Sequence, residues 1–185
     1  KSCTFAQVYA LAARLLQMFR QHNLTGPICL ATGSRELVAA ALLASLNNGP
    51  ELLLPYSFSG RTLAEMQQRT NFTAAITDTP LDLPPEILLL QPDTNGFEHN
   101  TVGYFDPENP LLRIFTGGST GTPRIWAKTC GNIFHEAMFL TRSFQITEQD
   151  CIVATVPPYH IYGLLFSVVL PLVSGASVVP ETPSF

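Results

Sequence analysis

The stretch that decides the fold is residues 28–55, ICLATGSRELVAAALLASLNNGPELLLP. It opens with an apolar run of strand length, residues 28–31. Ser34 follows, a residue type that caps helices, and then comes an apolar segment of helical length. This segment ends at Asn48-Gly49-Pro50, a sequence that terminates helices, and Glu51-Leu52-Leu53-Leu54 then predicts a second strand. A strand, a helix and a second strand joined this closely predict one crossover unit of a parallel sheet.

The same alternation continues on both sides of this unit. Before it, Thr4-Phe5-Ala6-Gln7 has the form of a capping box and opens a helix that stops before Gly26-Pro27. After it, Thr62-Leu63-Ala64-Glu65 has the same form and predicts a short helix that begins there and reaches about Thr70. Further apolar runs predict strands at 74–77, 87–90, 111–115, 125–128, 151–155 and 176–179, and helices at 132–144 and 162–173. We therefore predict an α/β fold with mostly parallel sheets and covering helices.

One polar segment divides this pattern. Residues 91–110 are rich in Asp, Asn, Gly and Pro, which is typical of an irregular connection. We predict a first α/β subdomain at 1–95, a connecting loop at 96–110, and the start of a second α/β subdomain at 111–185.

The composition limits the classes of partner. The sequence has 185 residues, of which 46% are hydrophobic and 13% charged. This charged fraction is about half of the usual ~25%, so we expect part of the surface to face more protein. Ten basic and fourteen acidic residues give a net charge of −4. That balance argues against a surface that binds nucleic acid.

The cysteines and the longest apolar stretch bear on the cellular compartment. The four cysteines lie far apart without a C-x-x-C pair, so we predict reduced thiols and a cytoplasmic protein. Residues 161–179 form the longest apolar stretch, but Ser167, Pro171 and Gly175 interrupt it and basic flanks are missing. We predict a buried helix and a buried strand there, and no membrane span.

The segment richest in groups that can bind a ligand is Phe115-Thr116-Gly117-Gly118-Ser119-Thr120-Gly121-Thr122-Pro123-Arg124. Its glycines free the backbone to turn several N–H groups toward one point, which creates an anion nest. The hydroxyls add donors, and Arg124 adds a positive charge with fork geometry. This donor set is suited to a polyphosphate, although an exposed Gly/Ser loop without a ligand is the simpler alternative. The predicted phosphate-binding residues are Thr116, Gly117, Gly118, Ser119, Thr120, Gly121, Thr122 and Arg124.

Other motifs compete with this interpretation. No register supplies a Walker A loop or the dinucleotide pattern G-x-G-x-x-G. His135-Glu136 begins an H-E-x-x-H pattern, but Phe139 stands where the second histidine belongs, so no metal ligands are predicted. Residues 117–121 do satisfy G-x-S-x-G, and Asp150 and His160 follow in the order of a serine hydrolase. A nucleophile elbow leads directly into a helix, however, whereas an extended segment follows here. The hydrolase with Ser119 as nucleophile stays open as an alternative.

The loop resembles the phosphate-binding signature of the acyl-adenylate-forming (AMP-binding) ligases, aromatic-Thr-Ser-Gly-Ser-Thr-Gly-x-Pro-Lys-Gly. The chain departs from it at Gly117, Arg124 and Ile125, which replace Ser, Lys and Gly. Residues 157–164, PPYHIYGL, are similar to the family's Pro-x-Phe-His-x-x-Gly segment, which borders the acyl pocket. Residues 34–55 resemble the family's first nucleotide-fold helix and strand.

The resemblance implies an enzyme that condenses a carboxylic acid with ATP to give an acyl-adenylate and pyrophosphate. The acyl group would then pass to the thiol of CoA or of a carrier protein's pantetheine. The loop would hold the β- and γ-phosphates with Mg²⁺ sharing the charge, Arg124 would give electrostatic support, and His160 would lie near the carboxylate or acyl pocket. A purely structural role for His160 is the alternative.

Several of the family's segments are missing from the sequence. The aromatic-Gly-x-Thr-Glu segment, the ribose-binding Asp, the hinge and the C-terminal Lys do not occur. We therefore expect the chain to be the N-terminal part of a longer enzyme and to be inactive alone. Its expected partners are a carboxylic acid, CoA or an acyl carrier protein, and the missing C-terminal part. A non-catalytic nucleotide-binding module is the third hypothesis.

Overall fold

The computed structural model describes residues 3–92, 106–117 and 124–179. Within them, strands and helices alternate as the sequence predicts. The helices are α1 (Phe5–Gln21), α2 (Arg35–Leu46), α3 (Gly60–Thr70), α4 (Cys130–Ser143), α5 (Ile161–Leu164) and α6 (Leu170–Ser174), with a π-helical turn at Leu165–Val169 between the last two. The strands are β1 (Ile28–Leu30), β2 (Leu52–Leu54), β3 (Ala74–Ile76), β4 (Leu88–Leu90), β5 (Pro110–Thr116), β6 (Arg124–Thr129), β7 (Cys151–Ile152) and β8 (Ser177–Val178).

Six of the strands form one sheet in the order β4-β3-β1-β2-β5-β6. Neighbours from β4 to β5 run parallel, and β6 alone is antiparallel, paired with β5. β7 and β8 form a separate parallel pair. The predicted α/β fold with mostly parallel strands is therefore confirmed.

β5 and β6 lie beyond the predicted connecting loop and yet extend the first sheet. Leu54 of β2 is aligned with Ile114 of β5. Nε of Arg113 lies 3.0 Å from both carboxylate oxygens of Glu51, across the same pair of strands. This hydrogen bond raises the pKa of the Arg113 guanidinium. The division into subdomains at 96–110 stays a prediction, with the first two strands after it attached to the earlier sheet.

The two faces of the sheet contact different cores. Alternate residues of a strand point to opposite faces, and the short central strands are buried on both. Ile28, Leu30 and Leu52 pack in the larger core with α1 and α2. Cys29 and Leu53 pack in a second core, called here the α3 core, whose other buried members are Ala31, Leu63, Met66, Phe72, Ala75, Ile87 and Phe115.

Local capping explains where the helices begin. The capping box of Thr4 and Gln7 is present at α1, as predicted. The predicted start of α3 at Thr62 is wrong, because Ser59 is the N-cap and the helix begins at Gly60. The hydroxyl of Ser59 accepts a hydrogen bond from the backbone N–H of Thr62 at 3.3 Å. Thr62 thus occupies the third helical position, and its side chain is buried instead of capping.

The apolar segment near the end of the chain folds into α5, the π-helical turn and α6. Ser167 donates its hydroxyl to the carbonyl of Gly163 at 2.6 Å, and Gly175 ends α6 with a φ of 78°. Among the described residues, no helix has the length and apolar character that crossing a membrane requires. All four cysteines are free thiols.

Candidate functional site

The strands on both sides of the predicted phosphate loop form a β-hairpin. Thr116, the last residue of β5, is aligned with Arg124, the first residue of β6. The hydroxyl of Thr116 lies 3.5 Å from the carbonyl oxygen of Arg124. The segment after the loop is thus an extended strand, as predicted, and Arg124 is exposed at its start. The other predicted ligands, Gly118, Ser119, Thr120, Gly121 and Thr122, lie outside the described residues.

The entrance to the loop lies at the carboxyl edge of the sheet. Because β2 and β5 are parallel neighbours, the segment after β2, residues 55–59, meets the end of β5 there. A Cβ atom built on Gly117 would lie 3.4 Å from the ring of Tyr56, so this ring lies beside the start of the loop. Phe115 is buried beside it, with the guanidinium of Arg69 6.0 Å from its ring centroid.

His160 occupies the N-cap position of α5 and is half-buried. Its backbone N–H donates to the carbonyl of Pro157 at 3.1 Å, and its own carbonyl accepts from Leu164 at 2.7 Å. A Cβ atom on Gly163 would lie only 1.9 Å from the oxygen of Pro157. The turn 157–160 therefore packs directly on the backbone of α5, which fixes the backbone position of His160.

Two aromatic side chains, those of Phe58 and Tyr159, connect residues 55–59 to this histidine. The rings of Phe58 and Tyr159 have centroids 4.6 Å apart and an interplanar angle of 59°. The rings of Tyr159 and His160 follow at 4.7 Å and 51°. These distances and tilts are typical of favourable aromatic pairs. Phe58, Tyr159 and His160 are called the aromatic bridge below.

The aromatic bridge is linked through the α3 core to the two ends of the phosphate loop, Thr116 and Arg124. Phe58 and Tyr56 pack against the α3 core, which includes Phe115 and also contacts Ile125. In the hairpin, Phe115 and Ile125 form the pair next to Thr116 and Arg124, one position farther from the loop. Residues 55–59 thus lie beside Gly117 through Tyr56 and contact Tyr159, the neighbour of His160, through Phe58.

Sequence reasoning missed Tyr56 and Phe58 as neighbours of the site. No local pattern shows that Phe58 contacts Tyr159, because about a hundred residues separate them. One general signal was present, since loops at the carboxyl ends of parallel strands meet at one edge of the sheet. Applied to β2 and β5, that rule places residues 55–59 beside Gly117.

The residues named for the competing motifs have other surroundings. The carboxylate of Asp150 accepts hydrogen bonds from the backbone N–H and the hydroxyl of Thr147, at 2.7 and 3.0 Å. His135 and Glu136 are exposed on α4. In the part of the chain that the structure describes, no group of three His, Cys, Asp or Glu side chains could hold a metal ion.

Comparison with known proteins gives a consistent picture. The family model of the AMP-binding enzyme matches residues 1–184. A sulfoacetate–CoA ligase of Cupriavidus necator is 33% identical over 113 residues, which are 57% of this chain and 22% of that ligase. An oxalate–CoA ligase of Arabidopsis thaliana is 25% identical over 134 residues, which are 72% of this chain and 26% of that ligase.

Solved structures extend the comparison to the fold. The o-succinylbenzoate CoA synthetase of Bacillus subtilis, in complex with the acyl-adenylate intermediate OSB-AMP, superimposes with a TM-score of 0.81 and 20% identity. The match covers 100% of this chain and 51% of the synthetase. The same synthetase with ATP and a magnesium ion gives a TM-score of 0.80, also at 20% identity, over 100% of this chain and 52% of that one. The chain spans about half of this synthetase and about a quarter or less of the two curated ligases.

Proposed function

The chain belongs to the AMP-binding enzyme family, and from this premise we propose that it supplies the phosphate-binding part of a ligase that activates a carboxylic acid. The carboxylate attacks the α-phosphorus of ATP, the bond to the β-phosphate oxygen breaks, and pyrophosphate leaves. A thiol, from CoA or a carrier protein's pantetheine, then attacks the acyl carbon, and AMP leaves as the thioester forms. The curated relatives named above for sulfoacetate and oxalate are CoA ligases, which supports the acid–thiol class.

The hairpin of β5 and β6 is the observation that carries this proposal. It begins and ends the Gly/Ser/Thr segment between Thr116 and Arg124, which lie opposite each other. Backbone N–H groups, hydroxyls and one guanidinium all donate hydrogen bonds, so this set is suited to phosphate oxygens. We propose that it stabilises the charge that develops on the departing pyrophosphate, with Arg124 as electrostatic support.

Magnesium is expected to arrive with ATP. It usually binds through phosphate oxygens, waters and one or two carboxylates, and the loop itself contributes hydroxyls and no carboxylate. When bound, Mg²⁺ neutralises charge on the phosphates. In the proposal, Thr116 and the other hydroxyl residues of the loop are the residues of this chain that offer oxygen atoms to Mg-ATP.

We propose that His160 contacts the carboxylate or acyl group of the acid. Two observations support a role between the acid and the phosphates. The backbone of His160 is fixed, and its ring is linked through Tyr159 and Phe58 to the segment whose Tyr56 lies beside Gly117. A cytoplasmic location and a carrier-protein partner belong to the same proposal.

The observations support a serine hydrolase less well than the ligase. A nucleophile elbow requires a helix after the nucleophile, whereas Arg124–Thr129 is a strand. The carboxylate of Asp150 is engaged by Thr147, four residues before Cys151 begins β7. Both observations favour the ligase over a catalytic triad.

The phosphate site can be tested on the 185-residue chain by titrating Mg-ATP and following amide resonances. We expect Thr116, Gly117 and Arg124 to shift, and Arg124→Gln to weaken binding by roughly ten- to a hundredfold, the usual contribution of a hydrogen bond to a charged group. Lys128→Gln removes a cation from the same strand about 13 Å from Arg124 and should leave binding unchanged. If both variants bind like the wild type, the loop is not the phosphate site.

Catalysis is tested by acid-dependent exchange of pyrophosphate into ATP in the longer enzyme of which the chain is expected to be a part, called here the parent enzyme. We expect exchange with at least one carboxylic acid, and none from the 185 residues alone. Ser119→Ala should lower the rate roughly ten- to a hundredfold, because one of several donors is lost. A fluorophosphonate that labels Ser119, with labelling lost in His160→Ala, would instead establish the hydrolase.

A further inference from the structure

We propose that Phe58 is a positioning residue for His160 and acts through the ring of Tyr159. The orientation of the histidine follows from the geometry alone. The consequence for catalysis rests on the proposed function, in which His160 contacts the acid.

Phe58 is held in place by its position in the chain and by the core it packs against. It follows β2 and precedes the N-cap residue Ser59, so its backbone lies between a buried strand and a helix start. Its side chain packs against the α3 core. An aromatic ring with two side-chain torsions, fixed on one face by a close-packed core, is a rigid surface for another ring.

The orientation of the His160 side chain depends on such a rigid neighbouring ring. The turn and Gly163 fix its backbone, but its side chain makes no capping hydrogen bond to α5. Its ring centroid lies 4.7 Å from that of Tyr159, and the ring centroid of Tyr159 lies 4.6 Å from that of Phe58. Loss of the Phe58 ring would therefore release Tyr159 and, through it, the imidazole.

The same five residues also contact the phosphate loop. Tyr56 lies beside Gly117, and Phe58, two positions later, contacts Tyr159. Residues 55–59 thus link Gly117, at the start of the phosphate loop, to the histidine, and in the proposal they influence the separation of the two. A reaction that joins a carboxylate to a phosphorus atom depends on that separation, because small displacements of reacting groups lower rates steeply.

The orientation is tested by NMR on the chain with ¹³C-labelled histidine. We expect Phe58→Leu to move the ring resonances of His160, as neighbouring aromatic rings shift them, and Phe58→Tyr to retain them. Tyr159→Leu should move the same resonances. The control is Phe72→Leu, which changes the same residue type in the same α3 core, where Phe72 is fully buried. It should lower stability and leave His160 in place. Unchanged His160 resonances in Phe58→Leu and Tyr159→Leu would overturn the proposal, and so would loss of the wild-type position in Phe58→Tyr.

The catalytic consequence is tested by a double-mutant cycle in the parent enzyme. We expect Phe58→Leu to lower kcat/KM for the acid about two- to tenfold, the contribution of one aromatic pair. In a His160→Ala background Phe58→Leu should have no further effect, whereas Phe72→Leu should have the same effect in both backgrounds. Equal effects of Phe58→Leu in both backgrounds would show that Phe58 does not act through His160. Absence of activity with every acid, while the resonances still move, would contradict the proposed function and leave the positioning intact.

Discussion

The region before residue 93 and the region from residue 106 differ in how they bury their apolar side chains. In the first, β1, β2 and β3 are buried on both faces, and α2 buries nine of its twelve residues. In the second, Phe139, Tyr162 and Phe144 are about two thirds exposed. The other large exposed apolar residues of that region are Trp126, Met138 and Val153. In the first region the large exposed apolar residues, Phe5, Tyr9 and Leu89, are only 40–43% exposed. The first region thus has the more closed core, and the second carries His160 and the loop hairpin on a partly open apolar surface.

This difference matters for function. A single scattered apolar residue on a surface needs no explanation, whereas several within one region are typical of a surface that another part of a protein covers. The site residues therefore depend on a few close contacts, and substitutions at those contacts should have effects out of proportion to their size.

The largest effect is expected for Gly163→Ala. The new methyl group would lie 1.9 Å from the carbonyl oxygen of Pro157, and backbone atoms cannot yield as a flexible side chain can. We expect a loss of about 3–5 kcal/mol in the free energy of unfolding, in the upper tail for single substitutions. Urea unfolding measures it.

Gly33→Ala is the matched control in the first region. No heavy atom lies within 4 Å of a Cβ built there, so its stability should change by less than about 0.5 kcal/mol. Equal unfolding midpoints for the two variants would mean that the turn 157–160 is not packed on α5 in solution.

Two phenylalanines test the contrast in burial directly. Phe72 is fully buried in the α3 core, whereas Phe139 on α4 is 68% exposed. Phe72→Ala should therefore lower the free energy of unfolding by about 3–5 kcal/mol. Phe139→Ala should change it by less than about 0.5 kcal/mol, since it removes a mostly solvated ring. A cost above about 1 kcal/mol for Phe139→Ala, measured by urea unfolding of the chain, would show that another surface covers α4.

The smallest expected effect concerns alkaline pH. Burial raises the pKa of the Cys29 thiol to about 12, from an ordinary 9.0. Between these values the unfolded chain has released the proton and the folded chain has kept it. The free energy of unfolding should therefore fall as pH rises above about 9, by at most about 1.4 kcal/mol per pH unit for this thiol.

Cys29→Ala should remove this part of the pH dependence in urea unfolding at pH 8, 9 and 10. Cys151→Ala is the control, because that thiol is exposed on β7. The buried Cys130 is present in both variants and contributes equally to each. A slope unaltered by Cys29→Ala would contradict the burial of this residue in the central strand.

Strands and helices could be predicted because burial and capping leave local patterns. Residues 28–55 specify their own strand–helix–strand unit, and the motif of residues 115–124 identifies the family. The start of α3 was missed because Ser59 and Thr62 are both good caps, and the choice depends on which residue ends the preceding segment. The π-helical turn has no signal in an apolar run. The contact between Phe58 and Tyr159 depends on the tertiary fold and leaves no trace in either segment.

The place of β5 next to β2 also constrains the order of folding. β3 and β4 are synthesised between these two strands and join the sheet on the other side of β1. The β5–β6 hairpin closes over a short distance along the chain and can form within microseconds. Its docking on β2 must close a much longer loop and is entropically slower. Until it docks, the hydrogen-bonding edge of β2 is open to pairing with another chain, a hazard for aggregation during folding.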